Sequence, residues 1–175
     1  MITSVVAHRI RRTLAAVAVI PVLAGPAAAQ ESPAPGRLDA AGLKTALTTL
    51  GYQPRESRNE AGVEYEIVIR AADTRAITTR VTLSKDGALV WLVAWLKRVP
   101  TNRTISGNAV LGMLIENDAI GPTHFSYNEG RRWFFLNKPV PNVDLTAERL
   151  RGEIAHLGAT VSRTEPLWDS DRWKK

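Results

Sequence analysis

The stretch Ala88 to Leu96 is apolar at every position, and it constrains the fold more than any other part of this chain. Asp86 and Gly87 stand just before it as a hairpin turn. Two alternating segments precede that turn. Val63, Tyr65, Ile67 and Ile69 interleave with Glu64, Glu66 and Arg70, and Ile77, Thr79, Val81 and Leu83 interleave with Thr78, Arg80 and Thr82. Successive side chains of a strand point to opposite faces, so these two segments predict half-buried strands. Ala88 to Leu96, apolar on both faces, predicts a strand central to its sheet and covered on each side.

Helical spacing brackets the strands. Asp39 predicts the cap of a helix running to Leu50, with Leu38 and Leu43 as a hydrophobic staple, Leu43, Leu47 and Leu50 in one stripe, and Gly51 ending it. Ser106 predicts the cap of a second helix reaching Asn117, with Val110, Leu111, Leu114 and Ile115 sharing a face. Gly112 inside that helix costs about 1 kcal/mol relative to alanine, which argues for a short element. Strands over Thr123 to Tyr127 and Arg131 to Asn137 then meet at Asn128, Glu129 and Gly130, with the glycine expected where positive φ is needed. Asp144 is expected to open a third helix carrying Leu150, Ile154, Leu157 and Val161 at helical spacing, frayed or ended by Gly158. From Pro166 onward, Leu167, Trp168 and Trp173 belong to a tail that either docks or stays loose. The expected fold class is α+β, an antiparallel sheet of about five strands with helices in the order α-βββ-α-ββ-α.

Residues directly opposite in an antiparallel pair point to the same face. Whether the Asp86-Gly87 turn closes with two loop residues or four, Val81 and Leu83 share a face with Val90 and Leu92, the evident core. Trp91 and Trp95 therefore join Leu89 and Val93 on the face of Thr78, Arg80 and Thr82. The strand Arg131 to Asn137 is also apolar on both sides, through Trp133 and Phe135 on one and Phe134 and Leu136 on the other, and is expected beside Ala88 to Leu96. Each buried aromatic hides about 150 to 250 Å², so this second apolar centre equals or exceeds the roughly 300 to 600 Å² of the largest patch on ordinary monomers. The expected cover is the chain's own second helix or its tryptophan-bearing tail, then a second copy of the chain, then a peptide or lipid-like ligand. Trp91, Trp95 and Arg80 are the candidate partner-binding residues, with Arg80 expected to stack on the ring of Trp91.

The first 29 residues set the compartment. Arg9, Arg11 and Arg12 form a cationic start, Leu14 to Leu23 an apolar run, and Ala27 to Ala29 an A-x-A cleavage site, which together predict a signal peptide and a periplasmic or secreted protein. The apolar run is broken by Pro21 and is shorter than the roughly 20 residues that span a bilayer. Residues 30–37 read as a flexible spacer, 38–165 as one α+β domain, and 166–175 as the tail. The signal holds three arginines and no acids, so much of the net charge of +6 leaves with it. The remainder is too small to imply nucleic acid and is compatible with weak contact to an anionic envelope surface. The absence of cysteine excludes disulfides, thiolate catalysis and Cys-ligated metals.

The pattern "LKTALTTLGYQPRE", then three strands, then "VLGMLIENDAIGPTHFSYNEGRRWFFLNKPVP" and a closing helix resembles the YbjN-like family, whose fold is shared with type III secretion chaperones. The resemblance runs over roughly residues 38–163 and rests on element order and hydrophobic spacing. It implies a noncatalytic, dimer-forming protein concerned with protein partners, and it carries no active-site residues with it. The export signal departs from the family's typical cytoplasmic members.

Catalytic constellations are weak by comparison. His124 and Ser126 share a strand face, but no nucleophile elbow or orienting third group accompanies them. Glu64 and Glu66 alternate with core positions as solvated strand residues do, and Lys97, Arg98, Arg103, Arg131 and Arg132 read as solvated loop and strand ends. The histidines lack zinc spacing, and no glycine loop of the phosphate-cradling kind occurs, so no cofactor is expected. The sequence therefore points to an exported, non-enzymatic protein-binding or chaperone-like domain that pairs with itself or another protein. The alternative is a small envelope hydrolase or lipid-binding protein with a pocket between sheet and helices.

Overall fold

The computed structural model describes residues 36–59, 62–71 and 75–173; the expected signal peptide and most of the spacer lie outside the described residues. The elements are α1 (Ala40–Thr49), β1 (Arg55–Asn59), β2 (Gly62–Arg70), β3 (Ala76–Leu83), β4 (Leu89–Arg98), α2 (Gly107–Ile120), β5 (His124–Asn128), β6 (Trp133–Pro141), α3 (Ala147–Arg163) and α4 (Glu165–Trp168), followed by a 3₁₀ turn over Ser170–Arg172. All strand pairs are antiparallel, in the order β1-β2-β3-β4-β6-β5. The fold class is α+β as expected, with one strand more than the sequence reading supplied. That strand, β1, carries no apolar residue and exists through its pairing with β2.

Local chemistry builds the helices. The Asp39 carboxylate accepts from the Gly42 amide at 2.7 Å to start α1, and Gly51, at φ 87°, ends it with its amide on Thr48 O while Tyr52 N reaches Leu47 O at 3.1 Å. Thr146, not Asp144, caps α3 by accepting from the Arg149 amide. Gly158 neither frays nor ends α3. It is buried where the helix meets the sheet, and a Cβ there would lie 3.2 Å from Arg70 O. The β5–β6 connection also differs from expectation, since its left-handed residue is Arg132 at φ 53° rather than Gly130. Arg132 tolerates that conformation because its guanidinium is held by the carbonyls of Val99, Pro100 and Arg103.

One face of the sheet forms the core. Tyr65, Ile67, Ile77, Val81, Leu92 and Leu136 meet Leu43 and Leu47 of α1, Leu150, Ile154, Leu157 and Val161 of α3, and Trp168 of α4 in a single buried cluster. Asn142, fully buried just after β6, ties the chain's entry to the sheet. Its side chain accepts from Leu38 N and donates to Leu38 O and Gly87 O. At the far side of the sheet, the Asn117 amide of α2 accepts from Phe125 N at 2.6 Å and donates to Phe125 O at 3.5 Å.

The second helix departs from its predicted orientation. It buries Ala109 and Met113, while Leu111, Leu114 and Ile115 of the predicted inner stripe are 57, 60 and 65% exposed. The cause is long-range. Leu167 packs against Gly112, where a Cβ would stand 2.8 Å from Leu167 Cδ2, so the C-terminal segment decides which side of α2 faces inward.

That segment docks rather than hanging loose. Trp168 is 1% exposed with its indole N–H on Val161 O, and Trp173 meets Phe134 edge-on with its N–H on Leu167 O. Ion pairs hold it from outside: Lys97 with Asp169 at 3.4 Å and Asp171 at 2.6 Å, and Arg75 with Glu165 at 2.6 Å. Hydrogen bonding to Lys97 lowers the Asp171 carboxyl below its ordinary value, and the same bond raises the Lys97 ammonium. A depressed carboxyl stabilises the docked tail above its unfolded pKa of about 4 and ceases to do so as the pH falls through its lower folded value. A raised ammonium acts below about pH 10 and fails as the pH rises through its folded value. Docking of the tail, followed by the ring carbon shifts of Trp173, is therefore expected to weaken at both pH extremes, with Asp171→Asn removing most of both dependences; a wild-type profile insensitive to either extreme contradicts this role for the pair.

Candidate functional site

The register places the tryptophans as hairpin parity requires. Val81 stands opposite Leu92, Thr82 opposite Trp91, and Arg80 opposite Val93, so Trp91 and Trp95 lie on the face away from the core. β6 adjoins β4, and its Phe135 stands opposite Trp95. An aromatic strip results along the adjoining strands β4 and β6. Trp95 meets Trp133 and Phe135 edge-on at 5.4 and 5.5 Å, and Trp91 stands opposite Pro139 with its ring 6.2 Å from that of His124.

The expectation that β4 is covered on each side is not met, nor is the expectation that the second helix or the tail lies over the tryptophans. None of Trp91, Val93, Trp95, Trp133 or Phe135 belongs to the core cluster or packs against it, and all five keep intermediate exposure. The physical reason is the side each element takes. α2 is drawn to β5 and α4, and the tail to Phe134 and α3, all on the core side. The C-terminal segment reaches only one end of the strip, where Trp168 and Asp169 share a cleft of about 550 Å³ with Trp95, Lys97, Trp133 and Arg75. Among the described residues, the rings of the strip shield one another, and no helix lies over them.

Cations frame the strip. The Arg80 guanidinium lies 5.3 Å from the Trp95 ring centre, not over Trp91 as expected, while also pairing with Glu64 at 3.1 Å. Val93 stands directly across from Arg80, which leaves the two indoles as its diagonal neighbours. Trp95 is braced by two further rings, and Trp91 is turned to His124. Arg131 approaches Trp95 at 5.9 Å. A bulge after Trp95 reverses the alternation of β4, setting Lys97 opposite Phe134 and Arg98 opposite Trp133. Lys97 thereby turns to the tail acids and exposed Arg98 takes the end of the aromatic strip.

Other candidates are dispersed. The His124 ring turns Nδ1 to Pro122 O at 3.1 Å, while the Ser126 hydroxyl accepts from Asn137 Nδ2 at 2.7 Å, so the two do not form a nucleophile and base. Glu64 and Glu66 pair with Arg80 and Arg55 respectively. The basic loop after β4 is largely neutralised, since Asp171 takes Lys97 and Arg103 and Arg132 is spent on backbone carbonyls. Trp133 and Phe135, which complete the strip, were legible as a second two-sided strand; Arg98 and Arg131 were legible as basic residues near Trp95 and Trp133 and read as solvated ends, whereas a bulge and a loop place them at the end of the strip.

No protein-family model and no curated protein matches this chain. Among solved structures it is similar to a chain of the HopA1–SchA chaperone–effector complex, at 12% identity over 73% of this chain and 91% of that one with a TM-score of 0.48. It is also similar to a chain of the heterodimeric ExoU–SpcU complex from the type III secretion system of Pseudomonas aeruginosa, at 17% identity over 73% of this chain and 98% of that one with a TM-score of 0.43.

Proposed function

We propose that this chain is a non-catalytic, chaperone-like protein-binding domain of the YbjN-like type, and that its partner docks on the aromatic strip of β4 and β6. The observation that supports this reading is the strip itself: three tryptophans and a phenylalanine on the adjoining strands β4 and β6, with no helix over them among the described residues. Tryptophan and arginine are the residues that most often dominate binding energy at protein interfaces, and a clustered patch of them is a docking surface rather than a reaction centre.

Charge selects the occupant. Arg98 and Arg131 are exposed at one end of the strip, and among the described residues neither makes an ion pair. An apolar segment of another protein that carries acidic residues complements this end. A second copy of the chain brings the same arginines and is the less complementary occupant. The motif order of residues 1–29 supports action outside the cytosol, in the periplasm or beyond.

The test uses two synthetic peptides of identical apolar core, one flanked by aspartates and one by lysines, titrated into the full chain. The acidic peptide is expected to bind and to weaken as salt is raised, and Trp91→Ala with Trp95→Ala is expected to cost at least about 2 kcal/mol of binding, roughly 30-fold. Equal binding of both peptides, or an unchanged affinity in the double variant, defeats the reading. A dimer seen by light scattering and dissolved by the double variant reassigns the strip to self-association.

A further inference from the structure

A second site lies on the opposite side of the sheet. The core face of β6 reads Phe134, Leu136, Lys138 and Val140, so a lysine occupies a position where its neighbours are apolar, and it is 8% exposed. Burying an ammonium is costly unless its donors are matched. Lys138 Nζ has two acceptors, Glu153 Oε2 at 3.1 Å and His156 Nδ1 at 3.2 Å, both from α3. An ammonium has three N–H bonds and no lone pair, so one donor is left over, and the bond to Nδ1 places the ring proton of a neutral His156 on Nε2.

Lys138 and His156 line a cleft of about 540 Å³ between α3 and the turn from α2 to β5, within the range of small-molecule sites. Thr123, Thr160 and Arg163 complete its polar part, Thr160 with its hydroxyl on His156 O. Thr123 is 1% exposed, and its hydroxyl is buried with no hydrogen-bond partner. The remaining wall includes Ala119, Ile120, Pro122 and Ala159. The cleft thus offers a spare ammonium N–H and an unspent hydroxyl beside the apolar side chains of its wall. Its two nearby carboxylates are already engaged, Glu153 by Lys138 and Glu116 by Arg163 at 2.5 Å.

We propose that this cleft binds a small carboxylate with an apolar body, the carboxylate accepting from Lys138 and the Thr123 hydroxyl and the hydrocarbon lying on Ile120 and Pro122. The site is independent of the aromatic strip and stands whether or not a protein docks there. Because Glu153 competes for the same ammonium, removing its charge strengthens the ligand, whereas a purely structural Lys138–Glu153 pair predicts no such gain.

The experiment follows the His156 ring nitrogens of the full chain by NMR during titration with hexanoate, hexanol and inorganic phosphate. Hexanoate is expected to shift them saturably; hexanol and phosphate are expected to do so far more weakly. Lys138→Met, checked for folding by thermal melt, is expected to weaken hexanoate about 10- to 100-fold, the value of a lost charge-assisted hydrogen bond. Glu153→Gln is expected to strengthen it several-fold. The proposal is overturned if hexanoate produces no saturable shift, if hexanol or phosphate matches it, or if Glu153→Gln weakens binding. Should Lys138→Met fail to fold, the Glu153→Gln titration alone decides.

Discussion

Trp168→Ala is expected to lower the unfolding free energy by about 3 to 5 kcal/mol, the cost of truncating a fully buried tryptophan. For a domain of this size that corresponds to a fall in melting temperature on the order of 10 °C or more. The indole is buried in the same cluster as the α1, α3 and sheet residues, gives its N–H to Val161 O, and carries the Arg75 guanidinium 5.5 Å from its ring centre. Its loss opens a cavity beneath α4 and frees Leu167, whose contact with Gly112 sets the rotation of α2. A melting temperature within a few degrees of wild type, by calorimetry, would show that the tail is dispensable and that α2 is oriented by something else.

Asn142→Ala is expected to be nearly as damaging despite removing only a small polar side chain. Three backbone groups, Leu38 N, Leu38 O and Gly87 O, depend on its amide. Leaving buried polar groups without partners costs about 1 to 3 kcal/mol each, and even partial rescue by water leaves a loss of about 3 kcal/mol. The damage has a location: exchange of the Leu38 amide and fraying of the first turn of α1 are expected to rise before the sheet loosens. Denaturant titration giving less than about 1 kcal/mol of destabilisation is the contrary result, since it would mean that water substitutes fully.

Features set by neighbours along the chain were legible in the sequence. The caps of α1 and α2 and the alternation of β2 and β3 are decided within a few residues, and so is the face of Trp91 and Trp95, because one turn transmits parity from strand to strand. Features set at a distance were hidden. β1 has no apolar signal of its own, and the inward side of α2 depends on Leu167, more than fifty positions later. Parity told which face Arg80 joins but not which of two diagonal indoles it prefers. The Lys138 cleft was missed because the last strand was ended at Asn137; continuing the alternation through Val140 turns a loop lysine into a buried one facing Glu153 and His156.

The amide of Asn117 on Phe125 has a wider consequence for a protein with partly exposed aromatic rings on its sheet. A flat β-layer ending in open N–H and C=O groups invites another molecule to add its own strand, and repetition of that step makes a fibril. Here the β5 margin is plugged by a side chain from α2, and the β1 margin is lined by Arg55, Glu56 and Arg58. One margin is partly satisfied by a side chain and the other carries charge, and both features disfavour the addition of a foreign strand.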